Sequence, residues 1–402
     1  MDQNEMAGYA YNTVPFYQDR AERKSVDFGD IPVVTRDEMI RNQGKNIAPA
    51  YMMDYLRGNL EVFMTSGSTG KCMEIIWDPS QVTRSLLSLW HLRKRYYGIS
   101  PRDRYCYFFT TKVENGIVFE TERLPYGMGF SKLGLSENRL VQIYKEMLNY
   151  DPVWFFGQPS MVLLLIHTAE THALPVLPSL RYIELTGERI THGVREKIRE
   201  FFHCSVASQY GCYEVNSIAY ECPYGHMHIM DKNVYVEVLD ESDHPVWEQE
   251  GAVTLTSLQN QVMPFVRYRI GDRGILHKPS SCACGNKAPF IELTMAREND
   301  LVINRDGSRV HSDLFAHAVE MVNLVSGSII QYQIIQTDYE RFEIRFVLDE
   351  EEDREEVISL FMEALGTFTK DREFEFLFPK ELFPHEATGK CAWFISKKER
   401  YI

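Results

Sequence analysis

Between residues 137 and 209 the chain alternates helical and strand patterns joined by short links, and this alternation is the strongest constraint on its fold. Residues 137–149 place Leu140, Ile143, Tyr144, Met147 and Leu148 at offsets 0, 3, 4, 7 and 8, which is one face of a helix. Trp154-Phe155-Phe156 reads as a strand, 160–171 as a largely buried helix and 180–185 as another strand. An amphipathic helix follows at 191–202, with Val194, Ile198, Phe201 and Phe202 aligned, and then a strand at 205–209 ending at Tyr210-Gly211. Strands separated by helices return in the same direction, so the pattern predicts an α/β fold with a mainly parallel, helix-covered sheet whose strand-end loops are open to ligands.

A second constraint is Thr65-Ser66-Gly67-Ser68-Thr69-Gly70-Lys71, which follows an apolar run at 60–64 that reads as a strand. The glycines let the backbone bend so that several N–H groups face one concavity. Hydroxyls surround it and a lysine closes it, which is chemistry for a polyphosphate. The same composition also suits a Ser/Gly surface turn. It is not a Walker A loop, because that pattern requires Gly where Thr65 stands and a hydroxyl where Cys72 stands.

Residues 1–58 read as a helical lead-in with a capping-like start at Thr35-Arg36-Asp37-Glu38, and 79–97 as a helix. From 234 to about 276 helices give way to strands at 234–239, 251–257 and 265–269, a small β subdomain. Beyond 312 the order is α-β-β-α-β, a self-sufficient α+β unit. These shifts place a boundary at 298/299: a large N-terminal domain (1–298) and a small C-terminal α+β domain (299–402).

With 402 residues, 44% hydrophobic and 25% charged, the chain has ordinary soluble composition and can bury a large core. Its net charge of −14 opposes nucleic acid over most of the surface. Residues 1–12 lack signal-peptide character, and no apolar run approaches the roughly 18–20 residues of a membrane span. The expected compartment is the cytoplasm, with no membrane partner. Eight cysteines scattered over this length point to thiols or a metal rather than a disulfide scaffold.

Three further segments look like pieces of one site. Thr186-Gly187-Glu188 follows a strand, and its glycine lets a flat ring approach the backbone. Tyr210-Gly211-Cys212-Tyr213-Glu214 pairs an aromatic face with a carboxylate four residues on. In Tyr268-Arg269-Ile270-Gly271-Asp272 a carboxylate after a glycine suits vicinal hydroxyls. Singly, each fits an ordinary turn, a core tyrosine or a salt-bridged aspartate equally well.

In this order the segments resemble the motifs of the adenylate-forming superfamily, most closely its phenylacetate–CoA ligase branch. The likeness runs from Ile31-Pro32-Val33-Val34-Thr35-Arg36-Asp37 to Thr388-Gly389-Lys390, and Pro264-Phe265-Val266-Arg267-Tyr268-Arg269-Ile270-Gly271-Asp272 is its most specific stretch. It implies that a small-molecule carboxylic acid and ATP give an acyl-adenylate and pyrophosphate, after which coenzyme A takes the acyl group. It further implies that Thr65 to Lys71 hold the β- and γ-phosphates and that Gly187 and Glu188 line the adenine side. By the same likeness Tyr210, beside Gly211, stacks on adenine, Glu214 holds Mg²⁺ and Asp272 binds the ribose. Arg297 then sits at the ribose near a hinge, and Lys390 bridges the carboxylate and α-phosphate. In that family the small domain swings about a pivot two residues after the hinge arginine; here Asn299 stands there, followed by Asp300.

Cys222, His228, Cys282 and Cys284 form a second constellation that suits tetrahedral zinc, with His226 competing for the place of His228. Four protein ligands leave no open position, so such an ion is structural, and the resembled branch often carries a similar set. Four reduced, partly buried residues are the alternative. Phe119, Tyr126, Met128, Phe155 and Phe156 fall where the family places the acyl pocket and favour an aryl or arylalkyl acid, although core packing uses the same residues. Two other functions fit: an adenylating ligase that passes the acyl group to an amine or carrier protein, and a non-catalytic nucleotide-binding protein. The acid, the pathway and the oligomeric state are not legible.

Overall fold

The computed structural model describes residues 1–20, 28–65, 73–109, 113–114, 117–132, 135–188, 190, 192–279, 282–295, 301–325, 328–348, 353–382 and 392–396. Its contacts cluster into two compact units, residues 1–98 with 207–299 and residues 99–206 with 300–402.

The first unit carries an antiparallel ladder in the order Val234–Leu239, Glu250–Ser257, Tyr268–His277, Phe290–Met295, Met227–Ile229, Asn216–Glu221 and Ser205–Cys212, the last beginning at the unit boundary. Val234, Val236, Val238, Val253 and Leu255 alternate along the first two strands and bury one face with Ile218 and Ile291. The helix Pro79–Tyr97 starts where Asp78 accepts the Ser80 and Gln81 N–H groups and Pro79 presets the first turn. It stops at Gly98, whose φ is 70°. Gln81, Ser85, Leu89 and Arg93, four apart, form its buried stripe.

A two-stranded antiparallel ribbon, Glu61–Thr65 with Met73–Trp77, brackets the glycine-rich segment; Thr65 pairs with Met73 at its last rung. Trp77 is fully buried and anchors the ribbon in a cluster with Met39, Met73, Phe265 and Tyr268. A buried aromatic of this size contributes on the order of 1.5–3 kcal/mol. The N-terminal segment crosses the same region: Val34 bridges Tyr268, its N–H donating to the Arg267 carbonyl and its carbonyl accepting from Arg269.

Two strands run differently from the sequence expectation. The strand expected to end at 209 continues through Cys212, so Tyr210 and Gly211 lie within it. The strand expected at 265–269 starts at Tyr268 and runs to His277, so Asp272 is in a strand rather than after one. Arg267, at φ 46°, is the break that the apolar pattern hides.

In the second unit Tyr182–Thr186, Trp154–Gly157, Tyr105–Phe109 and Gly127–Ser131 are parallel neighbours, with Thr121–Arg123 added antiparallel. The helices Glu137–Tyr150, Pro159–Thr171 and His192–Phe202 bury Ile143, Tyr144, Leu164 and Ile198 with Phe108, Phe155 and Ile183 of the strands. The same unit contains the expected α-β-β-α-β order as Asp313–Val325, Ile329–Asp338, Arg341–Leu348, Arg354–Leu365 and Glu373–Leu377. Phe394–Ser396 adds a parallel strand to it, and Leu301–Ile303 with Arg309–His311 forms a hairpin, neither of which the pattern announced. The architecture is therefore α/β, and no helix among the described residues is long and apolar enough to cross a membrane.

Candidate nucleotide and metal sites

Within the first unit, two of the sequence-selected segments meet each other and the ribbon that brackets a third. At Tyr210/Gly211 the ladder with Asn216–Glu221 shifts register, a bulge that re-aims Tyr210. Only glycine fits next to it, because a Cβ on Gly211 would lie 2.3 Å from the Asn216 carbonyl oxygen. Opposite, the pairing of Glu250–Ser257 with Tyr268–His277 slips, and Ile270, Gly271 and Asp272 bulge from the ladder. Gly271 absorbs the bend at φ 91°. The two distortions bring the side chains together, and the Tyr210 O–H donates to Asp272 Oδ2 at 2.6 Å.

Glu214 sits in the turn between Ser205–Cys212 and Asn216–Glu221 and is 4% exposed. Its backbone is held from the ribbon side: Trp77 Nε1–H donates to the Tyr213 carbonyl at 2.8 Å, and Phe63 stacks on Tyr213 at 5.4 Å. Its carboxylate is held from the other side by Tyr268, whose O–H donates to Oε1 at 3.1 Å, and its charge acts on the Cys212 thiol two residues back. Burial, then the Glu214 charge, raise the Tyr268 phenol well above its ordinary pKa and do the same to the Cys212 thiol. Both therefore remain protonated. Glu214 is thus a buried carboxylate hydrogen-bonded by a neutral phenol, on which the Arg36 charge also acts, and a buried anion so placed attracts a cation. Tyr268 is a contributor that the sequence does not single out, because within Tyr268-Arg269-Ile270-Gly271-Asp272 it reads as a core strand residue.

Gly187 and Glu188 lie in the second unit. Gly187 has φ 79°, the left-handed geometry of the turn after Tyr182–Thr186. The Glu188 carboxylate accepts the Ser160 amide at 3.0 Å and its hydroxyl at 2.8 Å, capping the Pro159–Thr171 helix, which lacks a side-chain cap from Gln158. Of the glycine-rich segment only the strand position of Thr65 is described. Ser66, Gly67, Ser68, Thr69, Gly70, Lys71, Arg297, Asn299, Asp300 and Lys390 lie outside the described residues. Met128 and Phe155 belong to the helix-covered core of the second unit, so core packing accounts for two of the side chains that suggested an aryl pocket.

The cysteine–histidine constellation assembles in the first unit. Donor atoms of Cys222, His226, His228 and Cys282 lie within 4.8 Å of one another. Cys222 Sγ is 3.8 Å from Cys282 Sγ, and His226 Nδ1 is 3.2 Å from Cys282 Sγ. Cys284 Sγ is 3.4 Å from His228 Nε2. His226, expected only as a competitor, therefore stands inside the cluster with His228 rather than in place of it. His228 Nδ1 faces the Ala288 carbonyl at 3.1 Å, which fixes that nitrogen as the donor and leaves Nε2 with a lone pair for a metal. The end of the Pro79–Tyr97 helix braces the loops: Arg95 donates to the Cys284 carbonyl, Tyr96 to Cys284 Sγ and Tyr97 to the Glu221 carbonyl. Burial pushes the Cys222 thiol up to about 12; at Cys284 burial works the same way but the Tyr96 O–H and Asn286 N–H outweigh it and lower the pKa. Soft sulfur and imidazole donors at these separations fit a tetrahedral zinc ion.

No family model matches the sequence. The chain is 20% identical over 381 residues to the protein CapK of Staphylococcus aureus, spanning 92% of this chain and 80% of that one. It is 27% identical over 195 residues to a phenylacetate-coenzyme A ligase of Thermus thermophilus, 47% and 41% of the two chains. To an indoleacetate–lysine synthetase of Pseudomonas savastanoi it is 23% identical over 312 residues, 76% and 70%. Its fold matches a crystal structure of 2-hydroxyisobutyryl-CoA ligase in the postadenylation state, in complex with R3-HIB-AMP, with a TM-score of 0.75 at 17% identity over 99% of this chain and 90% of that one. The ordered motifs, their meeting in the first unit and these likenesses agree: in sequence and in fold the chain is similar to the adenylate-forming ligases.

Proposed function

We propose that the protein activates a carboxylic acid with ATP, forming an acyl-adenylate and releasing pyrophosphate, and then transfers the acyl group to coenzyme A. The observation that carries this reading is the buried Glu214 carboxylate, held by a neutral phenol beside the Tyr210–Asp272 pair and against the ribbon that brackets the glycine-rich segment. In it Tyr210 stacks on adenine next to Gly211, and Asp272 takes the ribose hydroxyls. Gly187, Glu188 and Arg297 complete the nucleotide site, and Thr65 to Lys71 take the terminal phosphates. Glu214 holds Mg²⁺, which when bound offsets charge on the phosphates.

Adenylation brings a carboxylate against an anionic phosphate, so cations matter more than a base. Two unit charges about 4 Å apart at an effective dielectric near 20 interact by roughly 4 kcal/mol, which is the part assigned to Lys390. We place Lys390 on a domain of residues 299–402 that rotates against residues 1–298, with the pivot at Asn299 or Asp300. Cys222, His228 and Cys282, with His226 or Cys284 as the fourth ligand, hold a structural zinc ion. The composition and the polar start of the chain make the cytoplasm its compartment in this reading.

A second reading keeps the adenylate but gives the acyl group to an amine, and it is favoured by one observation: the likeness to the indoleacetate–lysine synthetase spans 70% of that protein, against 41% of the phenylacetate-coenzyme A ligase. An aryl or arylalkyl acid remains the preferred substrate class. The test is AMP release across a panel of aryl, arylalkyl and short aliphatic acids, with coenzyme A, lysine or a carrier protein as acceptor. Consumption of the adenylate by coenzyme A supports the first reading, and consumption by lysine replaces it. No AMP with any acid sinks both and leaves a nucleotide-binding protein.

A further inference from the structure

We propose that Tyr268, seconded by Cys212, is a positioning residue that aims the Glu214 carboxylate at the metal–nucleotide; this rests on the reading of Glu214 as a metal ligand. A carboxylate at the tip of a turn has three side-chain torsions to fix, and the turn itself fixes none of them. The backbone clamp from Trp77 and Phe63 locates the main chain of residue 213 only. What fixes the Glu214 side chain is the Tyr268 O–H on Oε1 at 3.1 Å, with the Cys212 thiol two residues back in the chain near enough to feel its charge.

The anchor is rigid before any nucleotide arrives. Tyr268 is 1% exposed, its ring packs edge-on against Phe265 at 5.0 Å and its backbone bridges Val34. Its hydroxyl is therefore set by the 268–277 strand and the N-terminal segment, and Glu214 inherits that position. The two phenols divide the work: Tyr210 bonds Asp272, and Tyr268 bonds Glu214. A phenol O–H on one oxygen leaves the other oxygen of the carboxylate open to a cation while removing its freedom to turn away. Partners of metal ligands that orient without neutralising them typically change affinity by about 10–100-fold when removed.

The test is Tyr268→Phe, which keeps the ring and removes only the O–H. Binding of Mn²⁺ in the presence of α,β-methylene-ATP, read by electron paramagnetic resonance, should weaken by about 10–100-fold. The KM for the metal nucleotide should rise more than kcat falls, since the contact acts through a ligand rather than on reacting atoms. Cys212→Ala removes the neighbouring thiol without disturbing the 268–277 strand and should weaken Mn²⁺ binding in the same direction by a smaller factor, which keeps the idea testable if Tyr268→Phe folds poorly. Glu214→Gln is the reference. If it abolishes Mn²⁺ binding while Tyr268→Phe and Cys212→Ala bind like the unaltered protein, the positioning role is refuted and the assignment of Glu214 survives. If Glu214→Gln itself binds normally, both fall.

Discussion

The strand Asn216–Glu221 carries a different set of donor atoms at each end, and the contrast shows what each set is suited to hold. Just before it, Glu214 presents one hard oxygen anion held by a phenol. Just after it, Cys222 joins His226, His228 and Cys282 within 4.8 Å of one another. About 20 Å of strand separates the two. The first arrangement offers too few ligands to retain an ion on its own and suits one delivered with a phosphate. The second has enough soft donors to close around an ion permanently. The difference lies in the number and softness of donors, since burial is similar at both ends.

The largest expected effect comes from removing the charge at the first end. Glu214→Gln should lower ATP–pyrophosphate exchange by about 10²–10³-fold, the size of one lost transition-state contact, with little change in thermal midpoint. An exchange rate within a factor of two of the unaltered protein would break the comparison, because Glu214 would then be a core carboxylate and nothing more.

The other end should respond in stability. The purified protein should contain about one zinc per chain, and Cys282→Ser or prolonged chelation should lower the thermal midpoint by roughly 5–10 °C as the loops around 222–228 and 282–288 lose their crosslink. A zinc content near zero in fully stable protein would remove the metal from the account. His226→Ala and Cys284→Ala compared for zinc content sharpen it further, since the true fourth ligand is the one whose loss empties the site.

What the sequence disclosed follows from the range of its signals. The helix Pro79–Tyr97 was legible to the residue because Asp78, Pro79 and Gly98 mark its ends locally. The α-β-β-α-β order was legible because Phe342, Ile344, Phe346 and Leu348 alternate. Asp272 was placed after a strand instead of inside one, because a positive φ at Arg267 and a bulge at Gly271 are invisible to an alternation count. Tyr268 touching Glu214 and His226 standing inside the metal cluster are contacts between distant segments. No local pattern encodes them; they follow only from how the ladder is ordered.

The smallest effect concerns what steadies the carboxylate end from outside. Val34 pairs with Tyr268, and the Arg36–Arg41 helix starts immediately after it with a reciprocal cap: Glu38 N–H donates to Thr35 Oγ1, and Thr35 N–H donates to Glu38 Oε2. Arg20 also pairs with Glu38. Burial alone would raise the Glu38 pKa, but the Thr35 amide, Arg20 and the Thr35 hydroxyl together lower it below the usual glutamate range. A folded-state pKa below the unfolded one means stability that is present above about pH 4.3 and lost as pH falls through the folded value. Thr35→Ala should therefore cost about 1 kcal/mol at pH 7, measured as a shift in urea midpoint. Glu38→Gln keeps the cap geometry without the charge, so its cost, about 0.5–1 kcal/mol at pH 7, should shrink as the pH is lowered to 3. If Glu38→Gln costs the same at both values, the charge is idle and the N-terminal brace on Tyr268 works through backbone pairing alone.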